Sequence, residues 1–191
     1  MRRVIILHGR PDEDEYLSDA EPSASNGHWI PWTQKQLLIA GYDVQTPEIF
    51  RSFEMSYQVW LQEFERSTTT APMVLVGHSC GAGFLVRWLS EHPAVAVDKL
   101  VLVAPWLDPE RSVRTDFFAF EIDDRLMDRV GELHIFVSSD DPYKESILDT
   151  VHMLNEHYPA AIQHRYDNMG HFCFEQMHTE HFPDLVAAIV G

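Results

Sequence analysis

Cysteine is almost missing from this chain: its 191 residues include two, Cys80 and Cys173, neither in a Cys-x-x-Cys pair. That excludes a disulfide framework and suits free thiols in a reducing compartment. Basic residues are also in deficit, with 14 Lys and Arg against 30 Asp and Glu and a formal net charge of −16. Such a chain repels phosphate backbones and anionic lipid surfaces, so neither nucleic acid nor a membrane is an expected partner. Long apolar runs are lacking too, since none approaches the roughly 20 residues that span a bilayer. The basic start at Arg2-Arg3 leads only into Val4–Leu7 before His8-Gly9, which is shorter than a signal-peptide core. The expectation is a cytoplasmic protein. Internal repeats are absent as well, which excludes a solenoid.

What the chain does have is a globular composition, 45% hydrophobic and 12% aromatic, at a length that suits one domain over residues 1–191. Short apolar runs at Val4–Leu7, Tyr42–Thr46, Met73–Val76, Leu100–Ala104, Leu133–Val137 and Ala161–Tyr166 read as strands. Between them, Trp32–Ala40, Met55–Arg66, Ala82–Ser90, Ile122–Val130, Ser146–His157 and Phe182–Val190 read as helices. Strand and helix alternating about six times predict an α/β fold: a three-layer α/β/α sandwich on a mostly parallel sheet of about six strands. Pro11–Gly27 breaks the pattern. It carries Asp12-Glu13-Asp14-Glu15, Asp19 and Glu21 among Pro, Ser and Asn, and reads as an acidic, solvated loop inserted after the first strand. Its acids lack EF-hand spacing.

Gly77-His78-Ser79-Cys80-Gly81 fits Gly-x-Ser-x-Gly between an apolar strand and a helix, the setting of a nucleophile elbow. The bend is too tight for bulky neighbours, lifts the hydroxyl above the sheet and aims the helix N-terminus at it. A serine hydroxyl needs a base, and the base needs a carboxylate that sets its tautomer. In this context the chain order is Ser, Asp or Glu, then His. His171 follows Gly170 in the loop after the last strand, whereas His152, His157, His178 and His181 fall on predicted helices and His164 lies within a strand. Asp140 and Asp141 both close the fifth strand; one would hold His171 while the other caps the Pro142–Glu145 turn. The amides of Cys80 and Arg10 are the candidate oxyanion donors, with His8 shaping the loop that carries Arg10. Cys80 itself fits the bend badly as a nucleophile, because the positions two away from it are His78 and Ala82. Cys173 reads as packed, and His178-Thr179-Glu180-His181 is not a His-Glu-x-x-His zinc motif.

These residues resemble the α/β-hydrolase superfamily. More narrowly, the chain is similar to the small serine hydrolases related to retinoblastoma-binding protein nine. The likeness rests on total length, His28-Trp29-Ile30-Pro31-Trp32, Gly77–Ala82, Asp140-Asp141-Pro142 and Gly170-His171-Phe172, and so covers nearly the whole chain. It implies Asp141, the aspartate just before the proline, as the acid partner, and hydrolysis of an ester or amide with no cofactor and no metal. The acidic 11–27 segment departs from the family pattern. The Leu-x-Cys-x-Glu string that binds retinoblastoma-type pockets is missing, so that partner is not carried over.

The expected chemistry is acyl transfer from a small-molecule substrate to water through an acyl-enzyme on Ser79, as in a carboxylesterase. An aminopeptidase or amidase would use the same three residues. A non-catalytic binding protein on this fold is the rival from another class, since fold does not fix function. Leu107–Leu133, where relatives carry a lid, leaves room for a short helix and not a large cap. Trp106, Phe117, Phe118 and Phe120 stand as either an acyl pocket or ordinary core. The oligomeric state is not legible.

Overall fold

The computed structural model describes residues 2–68 and 73–191. Its elements run β1 (Arg3–Leu7), α1 (Glu13–Tyr16), α2 (Ile30–Ile39), β2 (Asp43–Gln45), α3 (Tyr57–Glu65), β3 (Met73–His78), α4 (Cys80–Glu91), β4 (Val97–Val103), β5 (Val130–Ser138), α5 (Lys144–His157), β6 (Ile162–Tyr166), α6 (Phe174–Met177) and α7 (Pro183–Val190). All six strands are parallel, in the order β2-β1-β3-β4-β5-β6. The compact α/β sandwich read from the sequence is the fold observed. Among the described residues no helix is long and apolar enough to cross a membrane.

A sheet covered on both faces needs apolar residues at consecutive strand positions. In β1, Ile5 and Leu7 join one core with Trp60 and Phe64 of α3, Phe84 and Trp88 of α4, and Leu154 of α5. Val4 and Ile6 join the opposite core with Ile30 and Leu37 of α2 and Leu185 and Ile189 of α7. The strand neighbours change direction at β1, with β2 on one side and β3 on the other. In open α/β sheets ligands bind at the carboxyl ends of the strands flanking such a switch point. Here those ends deliver His8-Gly9-Arg10 and His78-Ser79.

Helix α4 starts so close to both strand ends that two glycines become obligatory. A Cβ on Gly81 would lie 2.2 Å from the His8 carbonyl oxygen, and one on Gly77 would lie 2.6 Å from the Ala82 Cα. The strand-end histidines are buried and held neutral. His8 Nδ1–H donates to the Gly9 carbonyl (2.6 Å) while its Nε2 accepts the Ile49 amide (3.0 Å), as expected of a loop-shaping residue. Burial holds the His8 imidazole below its ordinary value, with Glu48 opposing. Burial pushes His78 well below the usual range, and neighbouring His171 and His28 push the same way.

The structure changes three local expectations. Ile122–Val130 is not a helix: it holds a single 3-10 turn at Leu126–Asp128, and Val130 already pairs with Val97 in β5. Burying Val130 beside β4 outweighs a weak helical periodicity. The 11–27 segment is not loop throughout. It carries α1 with a capping box from Asp12 to Glu15, and a 3-10 turn at Ala24–Asn26. Tyr16 then accepts the Arg51 amide at 3.0 Å, which ties the segment to the body. His178 and His181 are not helical: His178 ends α6 in a left-handed conformation, and His181 stacks on Trp32, ring centroids 5.0 Å apart.

Two outcomes follow from this packing. Gly81→Ala drives a methyl into backbone rather than a yielding side chain, and is expected to lower stability by about 1–3 kcal/mol; a urea midpoint unchanged from wild type would refute the close approach. Because His8 and His78 have lowered folded-state values, the unfolded chain binds more protons below its own His value of about 6.5. Their contribution therefore stands above that pH and is lost as pH falls below it. Urea midpoints measured at pH 7.5 and 5.5 should drop, while the His78 ring signals in NMR stay unmoved.

Candidate functional site

Ser79 occupies the bend between β3 and α4 with φ 52° and ψ −119°, a left-handed conformation that a non-glycine residue avoids. The surrounding backbone holds it there. The Ser79 amide donates to the Val103 carbonyl at 2.9 Å, and the Ser79 carbonyl accepts the amides of Ala82 (3.1 Å), Gly83 (3.2 Å) and Trp106 (3.2 Å). The bend is thus clamped between the end of β4 and the first turn of α4, and the hydroxyl projects over the carboxyl edge of the sheet.

The loop after β6 brings His171 to that hydroxyl. Ser79 Oγ–H donates to His171 Nε2 at 2.9 Å, and His171 Nδ1–H donates to Asp141 Oδ2 at 2.8 Å. The Asp141 side chain is fully buried, and its Oδ1 accepts the Tyr143 amide at 2.8 Å. Tyr143 also sets its ring edge-on to His171, centroids 5.2 Å apart. Asp140 and Asp141 therefore do not divide the work as the sequence suggested. Asp141 both holds the histidine and closes the Asp-Pro turn. Asp140 instead accepts the Ser138 hydroxyl (2.5 Å) and the Gly170 amide (2.9 Å), so it shapes the loop just before His171. The Ser138 hydroxyl, helped by the Gly170 amide, holds the Asp140 carboxyl below its ordinary value.

The amide of Cys80 is the first of α4, where helix N–H groups lack intrahelical acceptors and the dipole is positive. Arg10 stands beside it. The charge of Arg10 opposes the effect of burial on the Cys80 thiol, and the Gly9 Cβ position lies 3.2 Å from the Ser79 Cβ. The β1 loop and the start of α4 so converge on one point next to the serine. Burial pushes the Cys80 thiol up to about 11, which leaves no thiolate near neutral pH and removes it as a nucleophile.

Two contributors escaped the sequence reading. His78 Nε2–H donates to the His171 carbonyl at 2.8 Å, linking the end of β3 to the His171 loop. Nothing in the string Gly-His-Ser separates such a strut from a packed residue. The second is the Asp140 support of Gly170. Of the four aromatics offered as an acyl pocket, Phe117 is core, edge-on to Trp60 at 5.0 Å. Phe118 and Phe120 line a cavity of about 490 Å³ with Leu107, Val113, Ile122 and Met153. Trp106 instead donates its indole N–H to Ser146 at 2.7 Å. In chemical terms the arrangement is a hydroxyl facing an unprotonated imidazole nitrogen, a buried carboxylate behind that ring, and helix-start amides beside the hydroxyl.

Comparison with known proteins agrees with this architecture. No curated protein matches the chain. Among solved structures, the ydeN gene product from B. subtilis superposes with a TM-score of 0.78 at 20% identity, over 99% of this chain and 97% of that one. A serine hydrolase involved in carbazole degradation, the CarC enzyme, gives a TM-score of 0.61 at 14% identity, over 100% of this chain and 90% of that one. A serine hydrolase without a lid from Xanthomonas campestris gives 0.55 at 15% identity, over 98% of this chain and 78% of that one. These likenesses concern the fold. The sequence carries the assignment further, because the model of one family, described as serine hydrolase, matches residues 22–187. On that match the chain belongs to the serine hydrolase family.

Proposed function

We propose that the protein hydrolyses a small ester by acyl transfer through Ser79. The observation that carries this reading is the unbroken line from Ser79 Oγ to His171 to Asp141, at 2.9 and 2.8 Å, one ring nitrogen facing each partner. Ser79 Oγ attacks the substrate carbonyl carbon while its proton passes to His171 Nε2. Asp141 stabilises the imidazolium so formed without taking the proton. The carbonyl oxygen gathers negative charge, which the amides of Cys80 and Arg10 receive, each worth on the order of 3 kcal/mol of barrier. His171 then protonates the departing alcohol as the carbon–oxygen bond breaks. A water, deprotonated by the same nitrogen, attacks the acyl-enzyme and releases the acid and free Ser79. No step needs a cofactor. The 104–129 segment between β4 and β5 holds no α-helix, which suits an open site and a small substrate.

Labelling with a fluorophosphonate probe tests the nucleophile. Wild type should label and should hydrolyse short p-nitrophenyl esters, and Ser79→Ala should do neither. Wild type that fails on both counts would move the protein to the binding-module class. The two aspartates give a sharper contrast. Asp141→Asn should lower kcat on the order of 10⁴-fold, the magnitude seen when the carboxylate that fixes the histidine tautomer is neutralised. Asp140→Asn keeps an acceptor for the Gly170 amide and should cost no more than about 10–100-fold, the range for losing a supporting hydrogen bond. Equal losses in steady-state kinetics would overturn this division of roles.

A further inference from the structure

A second cluster of donor groups lies beside the Ser79–His171–Asp141 line and takes no part in it. His28, Cys173 and Glu175 each offer one donor atom, and the three atoms lie within 4.8 Å of one another. They arrive from distant parts of the chain: His28 from the segment that opens α2, the other two from the turn that follows His171. The Phe174 amide donates to His28 Nδ1 at 3.2 Å, which holds the imidazole against the Cys173–Glu175 turn. The Cys173 thiol has only a weak contact to satisfy it, the His171 carbonyl at 3.8 Å. His28 and Cys173 are half-buried and Glu175 is exposed, which leaves the cluster open to solvent on one side. The nearby charge is mainly acidic, with His171 opposing at His28. Glu175 and Glu21 act on His28, and Glu175, Glu15 and Asp141 act on Cys173. Glu15 and Glu21 belong to the acidic segment after β1, which the reaction at Ser79 does not use.

We propose that His28, Cys173 and Glu175 bind a divalent transition cation of the zinc class. One imidazole, one thiolate and one carboxylate form a borderline-soft donor set that suits zinc and is foreign to calcium or magnesium, which take oxygen ligands. Zinc bonds of about 2.0–2.3 Å place tetrahedral donors about 3.3–3.8 Å apart, so atoms within 4.8 Å of one another need to close by at most about 1.5 Å. The exposed Glu175 side chain is free to supply most of that movement, and water completes the tetrahedron. On binding, the S–H bond of Cys173 breaks, a metal–sulfur bond forms and the proton leaves to solvent. The occupied site would tie the acidic segment and the start of α2 to the turn immediately behind His171. The site stands independently of the ester reading, since none of its ligands takes part in acyl transfer.

The test uses the full chain, titrated with zinc against a chromophoric chelator, and separately loaded with cobalt(II). Wild type should bind one zinc per chain. Cys173→Ser and His28→Gln should each weaken that binding by about tenfold or more. The cobalt form of wild type should show a near-ultraviolet thiolate-to-metal charge-transfer band that Cys173→Ser abolishes. Zinc should also raise the urea midpoint of wild type more than that of Cys173→Ser at the same concentration, because a ligand held only by the folded state stabilises it by mass action in proportion to its affinity. Matching urea midpoints of the metal-free proteins show that the variant folds. Zinc held as tightly by Cys173→Ser as by wild type, or cobalt bound with no thiolate band, would place the metal on other groups and overturn the assignment.

Discussion

The bend at Ser79 is the constraint from which the rest of the site follows. A serine at φ 52° is costly on its own, on the order of 1–3 kcal/mol for a residue in a sparsely populated region, and persists only where its surroundings over-determine it. Three features do so here. Helix α4 presses onto the β1 exit until Gly81 stands against the His8 carbonyl. Gly77 leaves no room for a side chain against Ala82. The carbonyl of Ser79 itself gathers three amides, from Ala82, Gly83 and Trp106. The same tight approach that strains the serine brings the β1 exit loop at Gly9 and the start of α4 to its side. Strain and pre-organisation thus have one steric cause.

Around that bend the protein controls charge by burial rather than by solvent. His8 and His78 are each neutral, each satisfied by backbone groups, and each spends its hydrogen bonds on shaping a loop. His171 differs because its partners are a hydroxyl and a carboxylate. One nitrogen faces Ser79 and the other faces a fully buried Asp141. Three imidazoles within one cluster thus have distinct tasks, set by what each ring nitrogen touches. The two adjacent aspartates differ for the same reason. Asp141 points inward to the ring, whereas Asp140 turns to Ser138 and Gly170 and remains at the surface.

Much of this was legible in the order of residues. The buried strands are short apolar runs because both faces of the sheet are covered, and their positions came through within a few residues. The Gly-x-Ser-x-Gly bend was legible because only glycine tolerates the contacts that Gly77 and Gly81 make. Ile122–Val130 misled because helical spacing over nine residues carries less weight than pairing of Val130 with Val97 in the sheet. The acidic segment misled in the opposite sense: its composition suggests solvated loop, yet the Asp12–Glu15 capping box and the Tyr16 hydroxyl organise a turn of helix within it. The residue pattern alone left Asp140 and Asp141 equivalent and only the resemblance pointed to Asp141, which the structure sets 2.8 Å from His171, while the role of Asp140 at Gly170 depended on how the chain on both sides is placed.

By itself the sequence determined the strand–helix alternation, the sharp bend that carries Ser79 and the chain order Ser, Asp, His. Each of these is a local matter of side-chain size, apolar spacing and position along one chain. Only the tertiary structure decided that Asp140 holds the Gly170 amide, that His78 braces the His171 loop across 93 positions of sequence, and that His28 meets Cys173 and Glu175. Those are meetings between segments remote in sequence, and their distances depend on the register of the sheet and the packing of helices on its two faces, which no local pattern encodes.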